Sequence, residues 1–106
     1  MGEKQWLQDF ETEMDRLRVH FLTENGHVVA IFVVQYEASI NGEWRAIVRY
    51  DEAHGFFHRD VLSPSGKQTK TPEATEERGL ALTQALDDVK RNWRSYRRAY
   101  ETQIGR

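Results

Sequence analysis

Two Asn-Gly pairs, Asn25-Gly26 and Asn41-Gly42, each lie between runs rich in apolar residues, and they constrain this chain more than any other feature. Asn-Gly accepts the positive φ that tight hairpin turns require, so the middle of the chain folds back on itself twice as antiparallel strands. At Asn25-Gly26 a two-residue turn pairs Thr23 with Val28, Phe21 with Ala30, Val19 with Phe32 and Leu17 with Val34. At Asn41-Gly42 a two-residue turn would set Trp44 against Ser39 and Arg45 against Ala38, which mixes the faces. A three-residue loop of Ile40, Asn41 and Gly42 pairs Ala38 with Trp44, Tyr36 with Ala46, Val34 with Val48 and Phe32 with Tyr50, with Glu37 beside Arg45. A one-residue slip turns a strand inside out, so the apolar pattern selects the three-residue loop.

This register gathers Leu17, Val19, Phe21, Ala30, Phe32, Val34, Tyr36, Ala38, Trp44, Ala46, Val48 and Tyr50 on one face. The opposite face mixes Val29, Ile31, Val33 and Ile47 with Arg18, His20, Gln35, Glu37, Arg45, Arg49 and Asp51. A purely solvated face would be more polar, so this one is either partly covered or a site. A fourth strand over about Phe56–Leu62 follows the short loop from Glu52 to Gly55, and Ser63-Pro64-Ser65-Gly66-Lys67 reads as a turn.

Helical spacing brackets these strands. Trp6, Leu7, Phe10, Met14 and Leu17 recur at three- and four-residue steps, which predicts a short helix over about Glu3–Asp15. Thr71-Pro72-Glu73 supplies a cap, a first-turn proline and an early acid for a long helix from about Glu73 to Glu101. Its stripe of Leu82, Leu86, Val89, Trp93, Tyr96 and Tyr100 suits the uncovered apolar face of the sheet. The same stripe is a heptad seam, so a homodimer through paired helices is the variant of this arrangement. The expected fold is α+β in a single domain over residues 1–106: an N-terminal short helix, a four-stranded antiparallel β-meander, and a long C-terminal helix packed on one face of the sheet.

A chain of 106 residues, 39% hydrophobic and 30% charged, can build one core and has no apolar excess for a membrane span. It opens without the apolar segment of a secretory leader, and it has no cysteine for a disulfide or a thiolate metal site, so a cytoplasmic location is expected. Net charge is −2, which is not that of a general polyanion binder. The charge is uneven, however. Glu3, Asp9, Glu11, Glu13 and Asp15 crowd the N-terminus, while Lys90, Arg91, Arg94, Arg97 and Arg98 crowd the last helix. That basic run is either a polyanion-facing surface or a solvated helix face with cations near its C-terminus.

Chemistry-bearing residues concentrate between Arg49 and Asp60. His54 and His58 fall within ten residues of Arg49, Asp51, Arg59 and Asp60. If Asp51 pairs with Phe56 across the turn, Arg49 lies beside His58 on the half-polar face, and Asp60 shares that face. Three chemistries use such a set. In metal-free RNA cleavage, His54 and His58 act as the acid–base pair with Asp51, Asp60 and Arg49 around them, and Arg49 or Arg59 holds the phosphate. In metal-dependent cleavage, Asp51, His54, His58 and Asp60 hold a divalent cation. The third is simple anion binding by the arginines and Lys67. Against all three stands a surface ion-pair ladder without chemistry, because the spacing matches no established metal-ligand motif. A non-catalytic binding or oligomerising module, with the half-apolar sheet face against a partner, is the reading from a different class.

Tyr50-Asp51-Glu52-Ala53-His54-Gly55-Phe56-Phe57-His58-Arg59-Asp60, followed by Pro64 and Gly66-Lys67, resembles a Tyr-Asp-x-x-His-Gly-x-x-His-Arg-Asp segment of small prokaryotic proteins. More distantly, the strand Val48-Arg49-Tyr50-Asp51 and the histidine-bearing strand after it are similar to the TumE group of toxin–antitoxin proteins. The resemblance covers about residues 27 to 70. It implies a toxin-type ribonuclease activity, with RNA as substrate and an antitoxin-like protein as partner.

Overall fold

The computed structural model describes residues 1–52, 57–73 and 77–104. Six strands, β1 (Gly2–Asp9), β2 (Asp15–Glu24), β3 (His27–Ile40), β4 (Glu43–Asp51), β5 (His58–Leu62) and β6 (Gln68–Pro72), precede one helix, α1 (Arg78–Ile104). The strands form a single antiparallel sheet in the order β1-β2-β3-β4-β5-β6, and α1 lies across one face of it, over β3 and β4. The α+β architecture with a long C-terminal helix is as the sequence predicts. Among the described residues the sheet is larger by two strands, and a strand stands where the N-terminal helix was expected.

Both differences arise at sheet edges. Residues 2–9 are β1, paired along β2 from Gly2 opposite Thr23 to Asp9 opposite Arg16. An edge strand exposed along its length is held by backbone hydrogen bonds and needs no apolar alternation, so the helical spacing of Trp6, Phe10 and Met14 was a false guide. Trp6 packs edge-on against Phe21, and Phe10 stacks on Trp93 of α1. At the other edge Thr71 and Pro72 end β6 and do not cap the helix. Proline is tolerated there because an edge strand has one side without ladder partners. The helix begins five residues later than expected, and Glu77 caps it: its carboxylate accepts from the backbone N–H groups of Gly79 and Leu80 at 2.8 and 2.7 Å.

Both Asn-Gly pairs form two-residue turns, with φ of 51° and 78° at Asn25 and Gly26 and 55° and 80° at Asn41 and Gly42. Positive φ at both central positions matches the twist of the flanking strands. The three-residue loop expected at the second turn is therefore wrong: Ser39 faces Trp44, Ala38 faces Arg45 and Glu37 faces Ala46. The mixed faces are repaired by a bulge at Ile47, beyond which Tyr36 faces Val48 and Val34 faces Tyr50. An extra residue on one strand restores the pairing of apolar positions and leaves Ile47 and Val48 both buried. Two more register shifts in β3, at Val29 and Phe32, change the first hairpin. Leu22 faces Ala30, Phe21 faces Ile31, His20 faces Val33 and Val19 faces Val34. Ile31 thus enters the core, while Phe32, expected inside, is 48% exposed. The Glu52 carboxylate accepts from the Ile31 backbone N–H at 2.8 Å and also from Arg78 Nε of α1 at 2.8 Å.

The core lies between α1 and the sheet. Leu82, Val89, Trp93 and Tyr100 are buried there against Leu17, Val19, Val34, Tyr36 and Val48, with Ala81 and Ala85 allowing close approach. The heptad seam therefore faces the chain's own sheet. Two polar ties hold the helix at its angle. Asp15 accepts from Thr12 Oγ1, from the Tyr36 hydroxyl and from Arg97 at 2.5, 2.5 and 2.7 Å. Asp88 accepts from the Tyr50 and Tyr96 hydroxyls, each at 2.6 Å. Much of the basic run on α1 is internally paired, Arg91 with Asp87, Arg94 with Glu11 and Arg97 with Asp15 and Glu101. No helix among the described residues is long and apolar enough to cross a membrane.

Two outcomes follow. Ile31→Ala removes a buried side chain and should cost about 2–5 kcal/mol, whereas Phe32→Ser should stay within roughly 1 kcal/mol, measured by urea unfolding; the opposite ranking would refute the bulged register. Burial alone would raise the Asp15 carboxyl, but hydrogen bonds from Thr12, Tyr36 and Arg97 outweigh it and hold it below its ordinary value. Its stabilising contribution is therefore full above the unfolded value of ~3.9 and is lost as pH falls through the lower folded value. Asp15→Asn should cost roughly 2–4 kcal/mol at neutral pH and flatten the acid limb of the stability profile.

Candidate functional site: the open face of the sheet

The face away from α1 carries a row of residues in register across all six strands. Leu7 faces Arg18, Arg18 faces Gln35, Gln35 faces Arg49, Arg49 faces Asp60 and Asp60 faces Lys70. Cross-strand partners share a face, and strands lie about 4.8 Å apart, so the row spans roughly 24 Å. It is joined by side-chain bonds: Arg49 Nε donates to Gln35 Oε1 at 2.7 Å, and Gln35 Nε2 donates to Glu37 at 2.5 Å.

From β3 to β6 the acids Glu37 and Asp60 form the floor of this face and the cations its rim, while Glu3 on β1 is exposed and pairs with His20. Glu37 is buried and accepts from Arg16 Nε at 2.6 Å and Arg18 Nε at 2.8 Å, while the Arg18 side chain is 42% exposed. Burial pushes the Glu37 carboxyl up, but hydrogen bonds from Arg18, Arg16 and Gln35 prevail and hold it below the ordinary range. The expected pairing of Glu37 with Arg45 does not form; Arg45 pairs with Glu43 in its own strand. Arg16 also lies over the Trp44 ring, 3.8 Å from its centre. Arg49 and Lys70 are exposed, so this face presents guanidinium, ammonium and indole groups to solvent above the buried carboxylates of Glu37 and Asp60.

At the β4–β5–β6 end Asp51, His58 and Asp60 converge. Asp51 faces His58 directly and Arg49 faces Asp60, two residues from the expected pairing of Asp51 with Phe56 but on the same face. His58 is buried, and its Nε2 lies 3.1 Å from Asp51 Oδ1 and 3.2 Å from Asp60 Oδ2. Lys70 Nζ approaches from the solvent side, 3.1 Å from the same Nε2 and 3.4 Å from Asp60 Oδ1. Asp60 Oδ1 is buried and makes no hydrogen bond among the described residues, so its approach to Lys70 is an ion pair without hydrogen-bond geometry.

Of the residues expected to form a site, the fold brings Arg49, Asp51, His58 and Asp60 together. His54 lies outside the described residues. Arg59 points to the opposite face, where its NH1 donates to the Tyr96 hydroxyl at 3.1 Å. Lys67 sits in the β5–β6 turn beyond Leu62, and strand rise places it about 13 Å along the hairpin from the His58 position. The sequence reading missed Lys70, Glu37, Gln35 and Arg16 as parts of the arrangement. Lys70 enters only through the pairing of β5 with β6, which sets it opposite Asp60.

A second polar cluster faces α1. Tyr50, Phe57, Arg59, Gln84 and Asp88 line a cleft of about 350 Å³ between helix and sheet. Burial and then the hydrogen bond to Asp88 push the Tyr96 hydroxyl up to about 12, and the same causes raise Tyr50. Both phenols are protonated at neutral pH and donate to Asp88, which makes this cluster a helix-docking tie.

The fold and its face define a class: an antiparallel six-stranded meander closed on one side by a single helix and bearing a charged, carboxylate-floored face on the other. The chain belongs to the DUF7718 family, described as a domain of unknown function, whose family model matches residues 1–106. None of the curated proteins and none of the solved structures matches it.

The floor-and-rim arrangement has an asymmetric energetic consequence. Glu37→Ala removes the shared acceptor of Arg16, Arg18 and Gln35 and should cost about 2–4 kcal/mol, whereas Arg18→Ala leaves Arg16 and Gln35 on Glu37 and should cost below about 1 kcal/mol. Equal losses in chemical denaturation would show that the face is an ordinary surface ladder.

Proposed function

We propose that the open face binds single-stranded RNA and processes its phosphodiester backbone. The observation that carries this reading is the convergence of Asp51, His58, Asp60 and Lys70 at the end of a row of solvent-facing guanidinium groups. Phosphates need exposed cations, and Arg18, Arg49 and Lys70 supply them at strand-spaced intervals. Bases of a single strand stack on exposed rings sandwiched with guanidinium, which is what Trp44 over Arg16 offers. An overall negative charge does not oppose this at the β3–β6 part of the face, because Glu37 and Asp60 are buried there beneath Arg18 and Lys70.

In the cleavage reaction a base removes the proton of the 2′-hydroxyl and the oxygen attacks phosphorus. The 5′-oxygen then leaves with a proton from an acid. His58 with Asp51 and Asp60 forms the proton-handling centre, and Arg49, opposite Asp60, is placed for the charged phosphorus group. His58 itself is buried, so phosphate meets Lys70 first. The likeness to TumE-type proteins supports the same substrate and suggests an antitoxin-like protein as partner.

A protein-contact module is the second reading. Leu7 at 52% exposure and Phe32 at 48% lie on the same open face, near a groove lined by Gln5, Arg18, His20 and Val33. A homodimer or an antitoxin-like chain seated there would cover them.

Purified protein incubated with mixed labelled RNA should yield discrete cleavage products. Asp60→Asn should reduce the rate by about 100-fold or more. Arg18→Ala with Arg49→Ala should weaken RNA retention and lower the salt slope of binding by about 1–2. Folded wild-type protein that neither cleaves nor retains RNA would sink the nuclease reading and leave the protein-contact module.

A further inference from the structure

We infer that Asp51 Oδ1, His58 Nε2 and Asp60 Oδ2 form a binding site for one divalent first-row transition ion, and that Lys70 occupies the cation's place when no ion is bound. The inference rests on the phosphodiester reading above and revises its chemistry: with Nε2 committed to an ion, His58 holds the cofactor and does not itself carry the proton.

The first argument is a conflict of hydrogen-bond roles. A neutral imidazole nitrogen either carries one proton or offers one lone pair. Nε2 of His58 nevertheless has three charged neighbours at nearly equal distance: two carboxylate oxygens at 3.1 and 3.2 Å and the Lys70 ammonium at 3.1 Å. A protonated Nε2 donates to one carboxylate and repels the ammonium. A deprotonated Nε2 accepts from Lys70 and leaves both carboxylates facing a lone pair. One cation at the centre resolves all three contacts, because nitrogen and both oxygens then act as donors to it.

Geometry agrees. The three ligand atoms lie within 4.8 Å of one another. For metal–ligand bonds of about 2.0–2.2 Å, neighbouring ligand atoms stand about 3.0 Å apart at right angles and about 3.4 Å apart at a tetrahedral angle. The observed nitrogen–oxygen separations of 3.1 and 3.2 Å fall between these limits. Asp60 supplies an independent pointer: its side chain is 7% exposed, yet Oδ1 has only the loose ion pair to Lys70. Oδ1 is the oxygen beside the ligand Oδ2, so the carboxylate is free to turn toward an ion or to bind it through both oxygens. The donor set also restricts the ion. Two carboxylates and one imidazole carry two negative charges, which neutralise a divalent cation. The absence of thiolate and the presence of nitrogen favour Mn²⁺, Fe²⁺ or Zn²⁺ over Ca²⁺.

Lys70 explains how such a site survives folding without metal. Its side chain, 38% exposed, reaches in from solvent on a flexible stem. It compensates the carboxylates in the apo state and can swing out when an ion arrives, since Lys carries a strongly hydrated point charge.

Titration of the metal-free full chain with Mn²⁺, and separately Zn²⁺, by calorimetry and by Mn²⁺ electron paramagnetic resonance tests this. One ion per chain is expected. Asp60→Asn should weaken binding by more than about tenfold, and Lys70→Met should tighten it by removing the competing cation. Arg18→Ala, on the rim, should leave ion affinity unchanged. Circular dichroism of each variant separates loss of the site from loss of the fold. No ion bound by folded wild-type protein, or undiminished affinity in folded Asp60→Asn, overturns the inference. RNA cleavage that persists in EDTA without bound ion would likewise overturn it, while the nuclease reading stands. An ion bound at this site with no RNA cleaved would uphold the metal site and remove the nuclease reading.

Discussion

The buried contact of Asp15 with Tyr36 and Arg97 determines which side of this sheet is closed. Asp15 opens β2, Tyr36 lies in the middle of β3, and Arg97 is in the last third of α1, so one carboxylate ties three elements. With Asp88 holding Tyr50 and Tyr96 farther along, the helix is anchored at two points and cannot roll onto the other face. Everything polar on that other face depends on this choice. A helix there would have to take Arg18, Arg49 and Lys70 out of water, and desolvating each charge costs several kcal/mol.

The β-bulges are the second constraint. They let tight Asn-Gly turns coexist with an apolar pattern that does not suit an uninterrupted two-residue hairpin. Each bulge shifts the parity of a strand by one, so Ile47 and Val48 can both be buried and Phe32 can point outward. Past the bulges the alternation resumes with Gln35 and Glu37 opposite Arg18 and Arg16. That is how a hairpin whose turn-proximal register differs from expectation still delivers a coherent charged face.

That face is where the proposed approach of an anion to a net-acidic protein has a physical basis. Glu37 and Asp60 are buried, whereas Arg18 and Lys70, which pair with them, extend into solvent. A polyanion approaching within a Debye length meets the rim before the floor, since exposed charges beyond ~10 Å are screened. Lys70 has two parts in this arrangement, as the outermost cation of the row and as the ammonium group beside His58 Nε2 and Asp60 Oδ1.

Much of this was legible in the chain. The Asn-Gly pairs located both hairpins, the four- and three-residue stripe from Leu82 to Tyr100 located the helix and its buried side, and strand alternation put Arg49, Asp51, His58 and Asp60 on one face. These depend on local backbone preference and on periodicity, which act within a few residues. The edge strands β1 and β6 were not legible, because they are held by backbone hydrogen bonds and carry little apolar pattern. Nor were the bulges, since which residue is extruded depends on how both faces pack at once. Arg59 and Lys70 show the limit most directly. Arg59 stands between two site residues in sequence but is turned away to Tyr96, while Lys70, ten residues on from Asp60, is brought against it by a strand pairing. Sequence determined which residues alternate; only the closing of the sheet by α1, and the addition of β6 at its edge, decided which alternate positions share a site.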